Sequence, residues 1–559
     1  MRVFSGLMNR FCKDQRGNIA VIFAIACIPV LAAVGCGVDY SEASRMRAKL
    51  QSAADAAAVA SISQNSQGWL AASQMTGNGT VSIAQTDAMN IFLGNINNVY
   101  NPGNPSPSAN LFTLNTPPTA ATVTKTGANL TSTVTFNASV PTIFMNVLGF
   151  KSLTIQGSSS ASSSLPLYLD FYVMLDVSGS MGLPSDSNGQ TALNNVNPDD
   201  YGQYPTGCTL ACHFSVQNVC SDTGSNAQKF KTNSYCMGFA FTRVDQTALT
   251  NLLKVKATKN GVKNSTALGF PDSMIPGLPG SLNTDPTYGI PAVSSCPNPT
   301  PYSSASQGDI PCIQLRVDAV GFALNATQAA NGTSGLFETA QKKQLITNQF
   351  RIGLYPFIQD AWEYVKLTTA INGSPTNSST INYAAANLVN LLDTNTNSNL
   401  GSGGTNITQS INDMNNIVPT AGDGSSSTNT LPYVFLITDG AVDPQTKQLN
   451  SSGGWSGSNH ATTIATSPSP CAKLTGRGVK VMVLYIPYTP IANPNKNFAN
   501  DEDDYANNNI ANIPASLQAC ASPTDSTGSY MYTATTPAQI NAAVVAMFNH
   551  ALVTAHITN

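Results

Sequence analysis

The chain has 559 residues, of which 42% are hydrophobic and only 10% are charged. Its net charge is −3, so it offers no basic surface for nucleic acid, and its hydrophobic content is ample for a core. The length predicts two to four domains, and the abundance of Ser, Thr, Asn and Gly agrees with an exported protein.

The first predicted element is a membrane-spanning helix at residues 19–38. This run holds no charged residue and is long enough to cross a bilayer at about 1.5 Å per residue. Basic residues outnumber acidic ones in residues 1–18, which predicts a cytoplasmic N-terminus and export of the chain after the helix. We therefore expect a single-pass protein of the inner (cytoplasmic) membrane, with its C-terminal bulk in the periplasm or outside the cell.

Three kinds of cleavage are alternatives to an uncleaved anchor. A secretory signal peptide usually has an apolar region of about 7–15 residues, which is shorter than this one. A lipoprotein signal at Ala33–Cys36 would be better matched by leucine in place of Ala33. Prepilin-type cleavage after Gly17 usually needs a glutamate five residues later, where this chain has Ile22. An uncleaved anchor is favoured.

Residues 39–165 predict a small α+β stem. The stretch SEASRMRAKLQSAADAAAVAS is rich in Ala, lacks Gly and Pro, and has Ser41 as a cap, so it should extend the membrane helix outward. The runs ATVTK, LTSTVTF and SLTIQG predict strands, and SSSASSS is interpreted as a linker that ends the stem.

The N-terminal segment resembles a known family. The RGN start, Pro29 within the helix, VDYSEA and LQSAADAAAVA occur in the register found in the TadG and TadE-like proteins of the Tad (Flp) pilus assembly system. The resemblance implies a pilin-like stem in an envelope protein, with Tad pilus and secretion components as partners. An Ala-rich anchor of some other exported protein is the alternative.

The most informative motif follows the first predicted strand of residues 166–559. The apolar run at 167–175 is followed by Asp176, Ser178 and Ser180, which bring one carboxylate and two hydroxyls into a tight loop. Hard divalent cations prefer oxygen ligands, so this is half of a metal site. Thr405 immediately precedes the helix-like NITQSINDMNNIV, and Asp439 follows the apolar, β-branched run in PYVFLITDG. Ligands of open α/β sheets bind at the carboxyl ends of strands, where these side chains would meet.

The segments DVSGSM, GGTN and ITDG, in this order, resemble the von Willebrand factor type A (VWA) domain and its metal-ion-dependent adhesion site. The five matching positions are Asp176, Ser178, Ser180, Thr405 and Asp439. The resemblance implies an α/β fold with a doubly wound, mostly parallel, Rossmann-like sheet. It also implies binding of Mg²⁺ or Mn²⁺ and of a partner protein that offers a carboxylate. An ordinary strand-to-loop turn is the alternative for DVSGSM alone.

The rest of the chain fits this fold with one large departure. RIGLYPF and GVKVMVLYIPY predict further parallel strands, and YMYTAT with PAQINAAVVAMFNHAL predicts a closing strand and helix. The first helix, IQLRVDAVGFALNATQAA, begins only near Ile313. Residues 183–312 or thereabouts therefore predict a Cys-rich insertion, which would overhang the metal site and either shape or occlude it.

Exported cysteines predict disulfides in and beyond the insertion. The eight are Cys208, Cys212, Cys220, Cys236, Cys296, Cys312, Cys471 and Cys520. Most bridges are expected within 208–312, with Cys471 and Cys520 as a possible pair. Cys212 precedes His213 in a pattern one residue longer than a haem attachment site, but it is better explained by disulfide cysteines next to an unrelated histidine.

The acidic run 501–504 is interpreted as a solvated loop, with a weak Ca²⁺ site as the alternative.

No enzymatic function is expected. The sequence holds no nucleophile elbow and no HExxH, and GSGGTN lacks the lysine of a phosphate loop. The leading hypothesis is a binding and assembly factor that captures a partner carboxylate at the metal site. The alternatives are a surface adhesin that binds external ligands through the same site, and a docking module with a vestigial site.

Overall fold

The computed structural model describes residues 18–97, 111–183, 185, 315–375, 377–386, 388–392, 399–401, 404–443, 462–488, 490 and 502–557. Except for residues 183 and 185, the predicted insertion lies outside this part of the chain, together with its six cysteines. The chain divides into two compact units, Met1–Pro166 and Leu167–Asn559.

The N-terminal unit pairs helices with a four-stranded antiparallel sheet in the order β1-β2-β3-β4. Its helices are α1 (Asn18–Ala60), α2 (Gln67–Gln74) and α3 (Ser82–Ile96), and its strands are β1 (Gly79–Thr80), β2 (Thr113–Thr126), β3 (Asn129–Pro141) and β4 (Ser152–Ser164). A 3₁₀ turn, Met145–Leu148, lies between β3 and β4. The unit is therefore a long helix with a small α+β body around its C-terminal half.

Helix α1 is continuous from the apolar run into the Ala-rich segment, as predicted, with Pro29 inside it. One face of its second half is buried at helical spacing, including Met46, Leu50 and Ala57, and packs against Val134 of β3 in a shared core. The large apolar side chains described in the first half, from Ile22 to Val38, are exposed, among them Ile28 at 71%. A helix that is apolar where it is exposed is suited to a lipid environment.

The prediction that SSSASSS is a linker is wrong. These residues belong to β4, which pairs with β3 from Ser152 opposite Pro141 to Ser164 opposite Asn129. Hydroxyls pair across the strands, as between Thr133 and Ser160 with Oγ atoms 2.9 Å apart. The long backbone ladder outweighs the weak strand preference of serine, because strand propensity depends strongly on context.

The C-terminal unit is an α/β structure with a six-stranded sheet in the order β10-β9-β8-β5-β6-β7. Its strands are β5 (Leu169–Asp176), β6 (Phe350–Phe357), β7 (Val365–Thr368), β8 (Leu431–Thr438), β9 (Lys480–Tyr485) and β10 (Met531–Thr533). Its helices are α4 (Arg316–Asn325), α5 (Gln328–Asn331), α6 (Leu336–Lys343), α7 (Ile381–Ala386), α8 (Ile407–Ile417), α9 (Ala472–Thr475), α10 (Glu502–Asn509), α11 (Ile513–Cys520) and α12 (Pro537–Ile557). Short 3₁₀ turns lie at Gly179–Gly182, Leu388–Leu391 and Ile510–Asn512. Five strands are parallel, and β7 is antiparallel to β6.

Strand β5 is central to the sheet, and the strand order reverses there. Every residue of β5 is buried, which explains why its sequence is apolar from Phe171 to Leu175, between Asp170 and Asp176. The chain continues from β5 to β6 on one side and later enters β8 on the other side. Such a reversal opens a crevice at the carboxyl ends of the two strands, where ligands of parallel sheets bind.

Two helical stretches of the described chain are apolar and long enough to cross a membrane, Ile25–Ala60 and Pro537–Ala555. The most apolar window of the first is 11% buried and that of the second is 50% buried. In α12, Phe548 packs on Phe171 and Phe350 with ring centroids 5.1 and 5.4 Å apart. Helix α12 is therefore a core helix of the C-terminal unit, and α1 is the candidate anchor.

The acidic run at 501–504 is not a simple loop, because helix α10 begins at Glu502. Acidic residues are favoured in the first turn of a helix, where they face the positive end of the helix dipole.

The predicted pairing of Cys471 with Cys520 is confirmed, and both residues are buried.

Removing the disulfide should destabilise the C-terminal unit. The bridge joins residues 49 positions apart, and cross-links of this kind typically contribute about 2–4 kcal/mol by restricting the unfolded chain. We expect the double substitution Cys471→Ala and Cys520→Ala to lower the urea midpoint accordingly. Unchanged urea curves in the double variant would contradict a stabilising bridge. Direct substitution is preferable to a reductant, which would also reach the other exported cysteines.

Candidate metal centre

Asp176 is the last residue of β5 and its carboxylate is held from both sides. Oδ1 accepts hydrogen bonds from the backbone N–H and the hydroxyl of Ser178, at 3.0 and 2.6 Å. Oδ2 accepts one from the hydroxyl of Thr438, at 2.6 Å. The side chain is 1% exposed, so its orientation is fixed by the protein rather than by solvent.

The two serines lie in the turn that follows β5. The Oγ atoms of Ser178 and Ser180 are 3.3 Å apart, and both residues are buried. Ser178 immediately precedes the 3₁₀ turn Gly179–Gly182 and Ser180 lies within it, so both hydroxyls belong to one tight turn directly beyond the strand. The predicted carboxylate and two hydroxyls therefore converge, as their spacing in the sequence indicates.

Asp439 is brought to this group by the neighbouring strand. Strand β8 pairs with β5, with Ile437 opposite Leu175, so the chain leaves both strands at the same edge. The Asp439 carboxylate accepts hydrogen bonds from the hydroxyl of Ser180 and from the N–H of Ala441. Four of the five predicted residues therefore form one buried, hydrogen-bonded cluster.

Thr405 is placed at the same edge by its backbone. Its N–H and C=O bond to the C=O and N–H of Asp443, both at 2.7 Å, where the chain returns after Asp439. The next residue, Asn406, donates to the C=O of Ile358, which follows β6. Thr405 is buried, and Gly404 before it has a φ of +123°, a conformation that favours glycine.

Arg316 belongs to the site and was missed in the sequence. It is fully buried, and its Nη1 donates to Oδ2 of Asp439 and to the C=O of Ser180, both at 3.0 Å. Its Nη2 donates to the C=O of Pro487, also at 3.0 Å. The available signal was a single basic residue at the start of α4, a helix in which only Asp318 and Asn325 are otherwise polar. The protein therefore supplies its own positive charge to one of the two carboxylates.

Burial and mutual repulsion alter the protonation of the two carboxyl groups. Burial, with a contribution from the neighbouring Asp439, raises the pKa of Asp176 to about 7, against the opposing hydrogen bonds of Ser178 and Thr438. Burial also raises the pKa of Asp439, against the opposing charge of Arg316. Without an additional cation the site therefore tends to hold a proton near neutral pH.

The donor set fits a hard divalent cation. Mg²⁺ is typically held in proteins by one or two carboxylates together with waters, and hydroxyl oxygens are compatible ligands. With both carboxylates ionised, the charge of Arg316 leaves the cluster one negative charge in excess. In the described residues there is no group of three or more His, Cys, Asp or Glu side chains placed to hold a metal.

Comparison with known proteins gives one family match. Residues 17–64 match the family described as putative Flp pilus-assembly TadE/G-like, which supports a Tad pilus-assembly protein. The matched segment covers α1 and the turn after it. The search of curated proteins returned no match.

Solved structures give distant likenesses. The D319A mutant of the PilB minor pilin from Streptococcus sanguinis aligns with a TM-score of 0.27 at 10% identity, covering 79% of this chain and 80% of that one. The unmutated PilB minor pilin gives 0.26 at 10% identity, covering 79% of each chain. The vWF domain of the type V pili tip protein Mfa5 from Porphyromonas gingivalis gives 0.22 at 13% identity, covering 44% of this chain and 89% of that one. TM-scores this low do not establish a shared fold.

Proposed function

We propose that this protein is a membrane-anchored envelope component of Tad (Flp) pilus assembly that binds a partner protein through a divalent cation. The cation would be held by a VWA-type domain, the C-terminal unit. The observation that carries the proposal is the buried cluster of Asp176, Ser178, Ser180 and Asp439 at the reversal of strand order. The family match at residues 17–64 supports the assignment to pilus assembly.

In this proposal Asp176, Ser178 and Ser180 hold Mg²⁺ or Mn²⁺, and Thr405 and Asp439 complete the site. When bound, the cation would attract a carboxylate of the partner to this edge of the sheet. Thr438 orients Asp176 by donating to Oδ2, and Arg316 fixes Asp439 by donating to its Oδ2. The role of the chain is therefore binding rather than catalysis.

The anchor is residues 19–38 of α1. Its described large apolar side chains, from Ile22 to Val38, are exposed, and basic residues precede it, so we propose that the N-terminus lies in the cytoplasm and the C-terminal bulk beyond the inner membrane. This orientation presents the metal centre to other envelope components of the pilus system.

A bacterial strain that carries Asp176→Ala at the native locus tests this function. We expect few or no pili on its surface by electron microscopy, with the variant protein present in the membrane at its normal level. A strain carrying Asp170→Asn, which alters the first half of the same strand, serves as the matched control and should make pili. Normal pili with lost attachment would instead favour the adhesin alternative, and normal pili with normal attachment would contradict both functions.

Cation binding should strengthen as the pH rises from about 6 to about 8, because the cation must displace the proton that Asp176 holds with a pKa of about 7. When cations are removed, the free energy of unfolding changes with pH in the opposite direction to the cation affinity. The raised folded-state pKa means that stability falls as the pH rises from the unfolded value near 3.8 to about 7.

Calorimetric titration of Mg²⁺ at several pH values measures the first effect, and denaturant curves in chelator measure the second. The same denaturant curves for Asp176→Asn, which removes only the Asp176 carboxyl group, show how much of the pH dependence of stability comes from that group. Identical affinities at about pH 6 and about pH 8 would contradict proton displacement at the site.

A further inference from the structure

A strongly apolar loop joins β3 to β4 in the N-terminal unit. We define the β3–β4 loop as residues 142–151. Its exposed large apolar side chains are Ile143 (75% exposed), Phe144 (47%), Val147 (87%), Leu148 (52%) and Phe150 (60%). No charged residue occurs from Pro141 to Phe150. Exposed apolar surface of this density marks a site that something else covers.

The loop is held in one shape by hydrogen bonds. The carboxylate of Asp39 in α1 accepts from the backbone N–H groups of Ile143, Phe144 and Met145, at 3.0, 2.9 and 2.7 Å. The N–H of Phe150 bonds to the C=O of Met145 at 3.0 Å, around the 3₁₀ turn. The backbone of the loop is thus largely satisfied from within the protein, which is what a segment needs in order to enter an apolar medium.

The loop lies beside the end of the membrane helix. Phe144 packs directly on Gly35, where an added Cβ would lie 2.5 Å from the Cβ of Phe144. Gly35 lies within the apolar run, and Asp39 follows it by four positions, a distance of about 6 Å along the helix axis. Val34 and Val38 are also exposed on α1, at 62% and 52%. The apolar surface of the loop therefore adjoins the apolar surface of the helix.

We propose that the β3–β4 loop inserts its apolar side chains into the outer leaflet of the membrane that α1 crosses. The inference rests on the proposed anchor, because the position of the loop relative to the bilayer follows from that of α1. The continuity of the loop with the spanning helix identifies lipid as the occupant. Interfacial segments typically bury their apolar faces about 5–10 Å deep, which agrees with a loop that reaches the level of Gly35.

The loop gives the protein a second attachment to the membrane. A single spanning helix leaves its exported end free to tilt and rotate, and tilt is set by the groups that anchor the helix at the interface. Asp39 ties the loop to α1 at the point where the helix leaves the apolar run. Insertion of the loop would therefore fix the tilt of α1 and hold the sheet of the N-terminal unit close to the membrane surface.

Depth measurement in vesicles tests the insertion. The full-length protein is reconstituted in phosphatidylcholine and phosphatidylglycerol vesicles, with an environment-sensitive fluorophore on a cysteine introduced by Val147→Cys. The matched control is Asn129→Cys at the opposite end of β3, about 40 Å away along the strand. The parent protein without an introduced cysteine gives the background from native thiols.

We expect the label at position 147 to emit at shorter wavelength and to be quenched several-fold more by nitroxide-bearing lipids than the label at position 129. Aqueous iodide should quench the two labels in the opposite order. Equal quenching of both labels by iodide, with the protein retained after a carbonate wash, would overturn the insertion while leaving the anchor intact. Loss of the protein from vesicles in carbonate would overturn the anchor and, with it, the insertion. Protection of position 147 from both quenchers would indicate a protein partner and overturn lipid as the occupant.

Discussion

Replacing Arg316 with methionine should destabilise the protein by roughly 3–5 kcal/mol when divalent cations are chelated. The substitution removes the positive charge that lies 3.0 Å from Asp439, and both side chains are fully buried. Without Arg316, only the hydrogen bonds from Ser180 and Ala441 would compensate the Asp439 carboxylate for its lost hydration, so it must protonate or the fold must loosen. Added Mg²⁺ should then stabilise the variant more than it stabilises the wild type, because the cation replaces the missing charge.

Denaturant unfolding of the wild type and of Arg316→Met, each with chelator and with Mg²⁺, measures this effect. Arg351→Met is the matched control, because Arg351 of β6 forms an ion pair with the buried Asp170 of β5, with nitrogen and oxygen 2.6 Å apart. That control should lose stability without any added response to Mg²⁺. If Arg316→Met were as stable as the wild type in chelator, Arg316 would not be the counter-ion of Asp439.

Asp176→Ala should weaken the binding of Mg²⁺ and Mn²⁺ by at least about 100-fold, since even outer-shell partners of metal ligands often contribute 10–100-fold. The fold should persist. Loss of the carboxylate leaves the N–H and hydroxyl of Ser178 and the hydroxyl of Thr438 without this acceptor, at a cost of about 1–3 kcal/mol for each donor that stays unsatisfied. Removal of an unfavourably buried carboxyl group offsets part of that cost.

Isothermal titration of the wild type and the variant measures the binding, and circular dichroism verifies the fold. Asp170→Asn is the control, since Asp170 is a buried aspartate at the opposite end of the same strand, about 20 Å away. It should bind the cations as the wild type does. Equal affinity in Asp176→Ala and wild type would exclude Asp176 as a ligand.

The sequence predicted best those elements whose residue pattern is typical of only one kind of structure. Strands β5 and β8 are buried on both faces, so each is an apolar run that ends abruptly at a polar residue. Asp176 and Asp439 could therefore be placed at neighbouring strand ends before the fold was known. The Ala-rich segment of α1 was equally clear, because its composition strongly favours a helix.

Other features depend on partners that are distant in sequence. Ser160 is in a strand because β3 pairs with it, and β7 is short and pairs only at the edge of the sheet. Helices α2 and α3 were also missed, since neither has a strong periodic pattern. Local propensity does not reveal such elements, because the decisive contacts are tertiary.

The composition of the site was only partly predictable for the same reason. Arg316 lies 123 residues from Asp439, and nothing in its neighbourhood indicates an ion pair. The three donors to Asp39 are more than 100 positions away, so the β3–β4 loop gave no sign of its attachment to α1. Both contacts are set by tertiary packing, whereas the spacing of Asp176, Ser178 and Ser180 is local.

The central claim is that the cluster around Asp176 holds a divalent cation, and crystals grown with Mn²⁺ test it most directly. An anomalous difference map should show one strong peak bounded by oxygen atoms of Asp176, Ser178 and Ser180. A map without a peak at saturating Mn²⁺, with Arg316 still bonded to Asp439, would contradict the claim and show that the guanidinium is the resident cation of the site.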